Sequence, residues 1–472
     1  MDNNAKMDAV CISNREMLSC DTFAIGKAYF ESGRNFFAKN SDRPLGESQP
    51  ISFFPGGVYA PGDTVKCTHM TIPQATKTYT VLGSRPYLIW GFEMGVNECC
   101  LIIGNEAEGS RCEAETEEGL LGMDLLRLAL ERADTARKGI TVITELLEQY
   151  GQNANASPLF DRRYENSFLL VDREEIWILE TAGRQWVAKK IDNWAAISNC
   201  YSIGTDFDLC SADLEAYARQ RRWLHPEEPL DFAKAYTLPA SRQSHSVPRW
   251  RRLCKLIEKN ARPMNIDFVK TILRDHFEGE IIEPRWGGAY GGFISVCMHA
   301  MTWDAPQTAA SLLSSWDDIL GPVSWYSASI PCCSVFIPVY WTGDIPKCMK
   351  TAGEFYDPNS LWWETERLAM LISVDEDRYG KQARSALCKL EAEIYDQACI
   401  TEQSARMLMQ NGKKDEALEC LRAFTEVCTK KVMGKMKILA DAINADIRKA
   451  GGLYGPRKEF LEAYGKRINL EF

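Results

Sequence analysis

The chain has 472 residues, enough to bury a large core and to hold one large domain or two to three smaller ones. Apolar content of 45% and charged content of 25% are those of a globular protein, and a net charge of −10 lacks the basic face a nucleic-acid binder needs. No apolar run approaches the ~18 residues of a membrane span, and 17 scattered cysteines fit free thiols in the cytoplasm better than a disulfide framework.

Residues 1–19 show no periodic pattern and read as a leader, either a short propeptide or a start placed upstream of the real one. Val10-Cys11-Ile12 is too short for the apolar region of a signal peptide. From Cys20 the sequence reads as a β-hairpin: Thr22-Phe23-Ala24-Ile25 and Tyr29-Phe30 are strand formers, Glu31-Ser32-Gly33-Arg34 is turn-like, and Asn35-Phe36-Phe37-Ala38 is a second apolar run. A turn centred on Ser32-Gly33 predicts partners whose numbers sum to about 65. Cys20 then faces Leu45 and Asp42 falls opposite Phe23. The hairpin so brings a thiol and the cluster Lys39-Asn40-Ser41-Asp42-Arg43 to one end of a sheet.

Strand character continues through Tyr79-Thr80-Val81-Leu82 and Leu101-Ile102-Ile103, the latter ending at Gly104-Asn105. Leu120 to Ala133 and Ile140 to Tyr150 carry apolar residues at helical spacing. Strands are expected again at Ser167–Val171, Ile176–Glu180, Trp186–Ala188 and Ala195–Asn199, and later at Phe293–Cys297 and Cys333–Ile337. Between these groups, Asp213 to Trp223 and Trp250 to Lys259 read as helices. After Pro358 the text turns to charged amphipathic helices: Leu361 to Ile372, Gln382 to Gln410, Lys413 to Ile447 and Lys458 to Tyr464. Periodicity alone supports α/β or α+β.

A thiol becomes a catalyst when something takes its proton. Five His are present and none lies near Cys20. If the peptide bond between Ser19 and Cys20 is cut, the freed α-amine, which ordinarily titrates at about 7.7–8.0, can serve as the base. Several stretches carry a resemblance consistent with that chemistry: Cys20-Asp21-Thr22-Phe23, Lys39 to Pro44, Ser84-Arg85-Pro86, Trp90 to Glu98, Gly104-Asn105-Glu106-Ala107, Leu121 to Leu125, Leu130 to Ala133 and Trp177 to Gly183. In order and content they resemble the dipeptidase–secernin family of cysteine N-terminal-nucleophile (Ntn) hydrolases, which is related to penicillin V acylase and choloylglycine hydrolase.

The resemblance implies an α+β fold, a four-layer α/β/β/α sandwich, with residues 20–357 as the catalytic domain and 358–472 as a helical C-terminal extension. It implies Cys20 as nucleophile and Ser19-Cys20 as the cleavage point, opened by attack of Cys20 on the Ser19 carbonyl. Asp42 is expected to hold the freed ammonium. Asn105 and Asn199, both at strand ends, are the expected oxyanion donors, and Arg249 resembles a late arginine of the acylases. Acylase relatives have arginine where Lys39 stands, so the thiolate's counter-ion is left open between Lys39 and Arg43; Arg43 is also a candidate for binding a substrate carboxylate. Lys39, Arg43 and Trp90 are placed on the substrate-binding side.

The expected substrate is a small peptide or amide, most simply a dipeptide. N-acyl amides, or a secernin-like regulatory role with an idle site, are the alternatives. No nucleic acid or membrane partner is expected, and a homo-oligomer is left open. Glu93, Glu98, Glu106 and Glu180 sit in family-like motifs without a spacing that selects a pair. Gly287 to Gly292 is glycine-rich but has no Lys-Ser/Thr ending, so it is read as a flexible segment near the site rather than a phosphate loop. No Cys-x-x-Cys occurs, and Cys297-Met298-His299 is the nearest approach to a metal-ligand pair. Buried free thiols are the preferred reading, with no metal and no cofactor.

Overall fold

The computed structural model describes residues 19–113, 115–157, 161–238, 246–260, 263–280, 295–300 and 305–472. Of the leader, only Ser19 falls among them, and the glycine-rich 287–292 lies outside them. The described residues divide into two compact units. The first takes those up to 41, with 54–83 and 88–272; the second takes 42–53, 84–87 and 273–472. Both helix and sheet are present in quantity, as an α+β reading requires. Among the described residues no helix is long and apolar enough to cross a membrane.

The strands up to residue 210 are β1 (Cys20–Ile25), β2 (Phe36–Pro44), β3 (Ile51–Phe54), β4 (Thr64–Lys66), β5 (Thr71–Pro73), β6 (Val81–Ser84), β7 (Met94–Asn97), β8 (Ile102–Glu108), β9 (Glu165–Val171), β10 (Ile176–Ala182), β11 (Gln185–Ile191), β12 (Trp194–Ser198) and β13 (Leu209–Cys210). The helices over the same span and just beyond are α1 (Gly122–Arg132), α2 (Ala136–Tyr150), α3 (Leu214–Gln220), α4 (Phe232–Tyr236), α5 (Ser246–Lys259) and α6 (Ile266–Leu273). In the first unit β1 lies between β12 and β2, antiparallel to both. A larger sheet runs β13-β11-β10-β9-β8-β7-β6, and β8 and β9 lie against β1.

Side chains on β8 alternate between two surroundings, as a pleated strand demands. Gly104 and Glu106 look toward β1 and β2. Ile103 joins the core built with Leu125 and Leu128 of α1 and Ile140, Ile143 and Leu147 of α2. α2 begins where the Thr135 side chain accepts from Lys138 N and ends at Gly151, whose φ of +69° suits a residue without Cβ. α5 packs against β12 and β1, and Trp250 Nε1 donates to the Ala196 carbonyl at 2.9 Å.

The hairpin register corrects the expectation. Cys20 pairs with Ser41, Thr22 with Lys39 and Ile25 with Phe36, so partner numbers sum to 61 rather than 65. The connection contains two turns where the sequence reading placed one. Tyr29 N bonds Gly26 O at 2.8 Å and Gly33 N bonds Phe30 O at 3.0 Å. Gly33, at φ +68°, is the second corner and not the tip. Lys39 therefore sits opposite Thr22, and Asp42 lies one residue past the partner of Cys20.

The second unit contains β14 (Pro306–Asp317), β15 (Gly321–Ala328) and β16 (Ile337–Tyr340), antiparallel in that order. It also contains α7 (Lys347–Lys350), α8 (Leu361–Ile372), α9 (Glu376–Gln410), α10 (Lys414–Lys449) and α11 (Lys458–Ile468). The helices after residue 358 thus group with the three strands before them. Trp362 Nε1 of α8 donates to Ala309 O of β14 at 2.7 Å. Buried Glu366 accepts from Gln307, Ser329 and Tyr464. The late strands differ from expectation among the described residues. Phe293 and Ile294 lie outside those residues, and residues 295–297 form a bend in which Cys297 N bonds Asp275 O and Ser295 Oγ bonds Cys297 O. Pro331–Cys333 is a short 3-10 turn, and strand begins only at Ile337.

Candidate active site

Cys20 opens β1 and is buried. Its main-chain N–H donates to Asn199 Oδ1 at 2.9 Å. That oxygen also accepts from Arg249 Nη2 at 2.7 Å, while Asn199 Nδ2 donates to Ala107 O at 2.8 Å. Arg249, fully buried on α5, completes the arrangement: Nε donates to Asp21 Oδ2 at 2.9 Å and Nη2 to Ser198 Oγ at 3.1 Å. Residue 20 is thus held from the side by a hydrogen-bonded chain running Asp21–Arg249–Asn199.

A second group lies toward the larger sheet. Lys39 Nζ donates to Asn105 O at 2.6 Å and to Glu106 Oε1 at 3.2 Å, and Thr22 Oγ1 donates to the same carboxylate oxygen. All three side chains are inaccessible to solvent. Burial alone would lower the pKa of Lys39; the thiolate charge of Cys20, then Glu106 and Glu93, outweigh it and hold the amine protonated. Burial pushes Glu106 up to about 8, against the pull of Lys39. Glu180, buried on β10 and bonded to Ser202 and Ile203, is pushed by burial to about 7.

Gly104 makes this approach of sheets feasible. A Cβ there would stand 2.7 Å from Phe37 Cζ and 2.9 Å from Lys39 Cδ. The lysine stem crosses β8 where no side chain projects.

The site expectations fall into two groups. Cys20, Asn199 and Arg249 share one hydrogen-bonded network, and Lys39 belongs to the second group, coupled to Cys20 by charge. Asn105 enters that second group through its carbonyl. Its amide lies on the other face of β8, between Asn166 and Glu93, and with its nitrogen turned to Glu93 it donates to Oε2 at 3.0 Å. Trp90 is drawn elsewhere: Arg127 Cζ sits 4.0 Å from its ring centroid and Arg127 Nη1 donates to its carbonyl at 2.8 Å. Arg43 directs Nε and Nη2 to Glu47 Oε2 at 3.0 and 2.7 Å, a buried pair in the second unit. Asp42 is buried at the start of the same unit.

Asp21, Thr22 and Ser198 are site members that the sequence reading did not single out, and Glu106 was noted there without a role. A signal existed for Asp21. A carboxylate in the middle of an apolar strand start must find a buried cation, and the one facing it comes from α5.

The pattern that defines peptidase family C69 matches residues 62–252, an interval that includes Asn105, Asn199 and Arg249 and begins after β2. Over that interval the chain is similar to peptidase family C69. It is 30% identical over 265 residues to a dipeptidase from Bifidobacterium longum (strain NCC 2705), covering 47% of this chain and 45% of that protein. It is 25% identical over 318 residues to probable dipeptidase A from Streptococcus pyogenes serotype M3 (strain SSI-1), covering 57% of this chain and 64% of that one. The matched stretches therefore span less than two thirds of either relative. A conjugated bile acid hydrolase from Clostridium perfringens aligns over 66% of this chain and 89% of its own, at 12% identity and a TM-score of 0.33.

Proposed function

We propose that the protein is a cysteine Ntn hydrolase that cleaves a small amide, with dipeptides as its substrate class, and that its catalytic fold is the four-layer α/β/β/α sandwich. The observation that carries this reading is the double hold on residue 20. Asn199 Oδ1 accepts from its main-chain nitrogen at 2.9 Å, and the charge of its sulfur is among those that keep buried Lys39 protonated. The names of the two similar dipeptidases favour dipeptides.

In this reading, Cys20 attacks the Ser19 carbonyl and hydrolysis removes the leader. The new α-amine keeps one N–H on Asn199 Oδ1, which aims its lone pair. It accepts the thiol proton, the thiolate adds to the substrate carbonyl, the ammonium protonates the leaving nitrogen, and water then hydrolyses the thioester to release the acid and restore the thiol. Lys39 supplies a fixed positive charge for the thiolate, and Asp42 holds the ammonium between steps. Asn199 Nδ2 and the Asn105 segment supply donors for the oxyanion. Arg249 acts through Asn199 and Asp21 as a positioning residue.

The test combines intact mass with turnover. Purified protein is expected to have the mass of a chain beginning at Cys20, to hydrolyse members of a dipeptide panel, and to lose both properties in Cys20→Ala. Active protein that still carries Ser19 would overturn the amine-as-base mechanism. Cleavage of N-acyl amino acids but of no dipeptide would move the substrate class. A correctly processed chain inert on both panels would leave a binding role.

A further inference from the structure

The second unit holds four metal-ligating side chains outside the Cys20 network: His276, Cys297, His299 and Cys332. All four are buried, and their ligand atoms lie within 4.8 Å of one another. They come from the loop after α6, the bent segment before β14 and the 3-10 turn before β16. The sequence reading treated Cys297-Met298-His299 as a thiol and an imidazole of the core. Folding adds two more ligands from 21 residues upstream and 33 downstream of its members, separations that no local motif records.

We propose that these residues form a structural zinc site. Zn–N bonds of 2.0–2.1 Å and Zn–S bonds near 2.3 Å in a tetrahedron put nitrogens about 3.3 Å apart and nitrogen and sulfur about 3.6 Å apart. In the structure His299 Nε2 stands 3.2 Å from His276 Nε2, 3.4 Å from Cys332 Sγ and 3.7 Å from Cys297 Sγ. Hydrogen bonding explains this poorly. One imidazole nitrogen offers a single donor or a single acceptor, yet three polar atoms surround this one. A shared cation satisfies all four at once.

The surroundings fit the same role. His276 Nδ1 meets Glu278 Oε1 at 3.1 Å, leaving Nε2 to face the other ligands, the carboxylate–histidine arrangement that orients metal-bound imidazoles. Arg274, two residues before His276, donates to Pro331 O and Ser334 O on either side of Cys332 and is paired with Glu391 of α9. Met298 N and O both bond Thr308 of β14, fixing the residue between the other two ligands. Zinc would displace the two thiol protons to solvent, and two thiolates balance its charge. Four protein ligands leave no open position, so the ion would tie three segments together and take no part in turnover.

Full-length protein purified without chelator is expected to contain about one zinc per chain by inductively coupled plasma mass spectrometry. A mercurial that caps thiols should release it to a colorimetric chelator. Cobalt refilling should give the visible bands of a tetrahedral two-thiolate site. Cys332→Ser and His299→Gln should lose the metal, and Cys333→Ser should keep it, although its sulfur lies 3.8 Å from that of Cys332. Should the ligand variants fail to fold, mercurial release and the cobalt spectrum of the parent chain still decide the matter. The proposal is overturned by protein that stays metal-free after refilling with zinc, by a Cys297–Cys332 disulfide in its place, or by zinc that persists in both ligand variants.

Discussion

Replacing Gly104 with alanine adds one methyl group where the first unit has no room for it. The new carbon would lie 2.7 Å from Phe37 Cζ and 2.9 Å from Lys39 Cδ, whereas ordinary contact begins at 3.4 Å. Phe37 is fully buried and has no space to retreat into, so relief of roughly half an ångström or more must come from the lysine stem or from the sheets moving apart. Overpacking of this kind costs about 1–3 kcal/mol. For a unit of this size each kcal/mol lowers the melting temperature by about 2–4 °C, so a drop of roughly 2–12 °C is expected. Moving Lys39 also lengthens its 3.2 Å contact with Glu106 and shifts the ammonium relative to Cys20. Displacing a positioned group by about 1 Å can cost about a hundredfold in rate, so Gly104→Ala should turn over dipeptides at least about tenfold more slowly. Differential scanning fluorimetry and initial rates read the two effects. Adding Phe37→Leu, which removes the ring, should recover part of the melting temperature. A Gly104→Ala protein that melts and turns over like its parent would refute the claim that β8 is stripped of a side chain to admit Lys39.

Removing Arg249 leaves Asp21 buried without its cation, so Arg249→Met should destabilise the chain by about 3–5 kcal/mol in chemical denaturation. Pairing it with Asp21→Leu should restore much of that stability without restoring turnover. Lys39→Met should move the alkylation of Cys20 by iodoacetamide to higher pH, by about one unit or more, since an opposite charge nearby favours the thiolate; an unmoved profile would remove Lys39 from the mechanism. Glu106 titrates at about 8 in the folded chain and at about 4.3 when unfolded. Between those values the folded chain keeps a proton that the unfolded chain has lost, so stability should fall as pH rises from about 5 to about 8. Glu106→Gln should flatten that slope in denaturant titrations across the same range.

Local signals were legible where one element explains itself. The four C-terminal helices follow from amphipathic spacing that needs no partner to be recognised, and α8 lies at residues 361–372 as expected. The strands from Glu165 to Ser198 are likewise short β-branched and aromatic runs broken by turn residues. What could not be read was distance-dependent. The hairpin register slipped because two turns within residues 26–35 carry the same residue types as one. β14, with Pro306-Gln307-Thr308-Ala309-Ala310-Ser311 at its start, has almost no strand propensity and is held by its neighbours. At the site, the candidates Cys20, Asn199 and Arg249, named from their motifs, lie in one hydrogen-bonded network. The facing of Asn105 was not legible, because strand-end position does not say which side of the sheet an amide takes. His276 and Cys332 had no chance of being joined to Cys297 and His299 before the chain was folded.

Under the proposed function, the charges buried around residue 20 are what would suit this cysteine, among 17, to chemistry. Two permanent cations, Lys39 and Arg249, are sealed from water with it. Arg249 is answered by Asp21 at 2.9 Å, a closed pair that leaves no charge over. Lys39 is not answered in the same way. Its contact carboxylate, Glu106, is pushed by burial to about 8 and so holds its proton at neutral pH for most of the time. The ammonium then faces Glu93 and the sulfur of Cys20, the remaining groups whose charge sustains it. A cation held out of water must find a counter-charge, and in the proposed mechanism the Cys20 thiol supplies one by giving up a proton. Burial thus weakens Glu106 as a competitor for Lys39, while Lys39 stays charged.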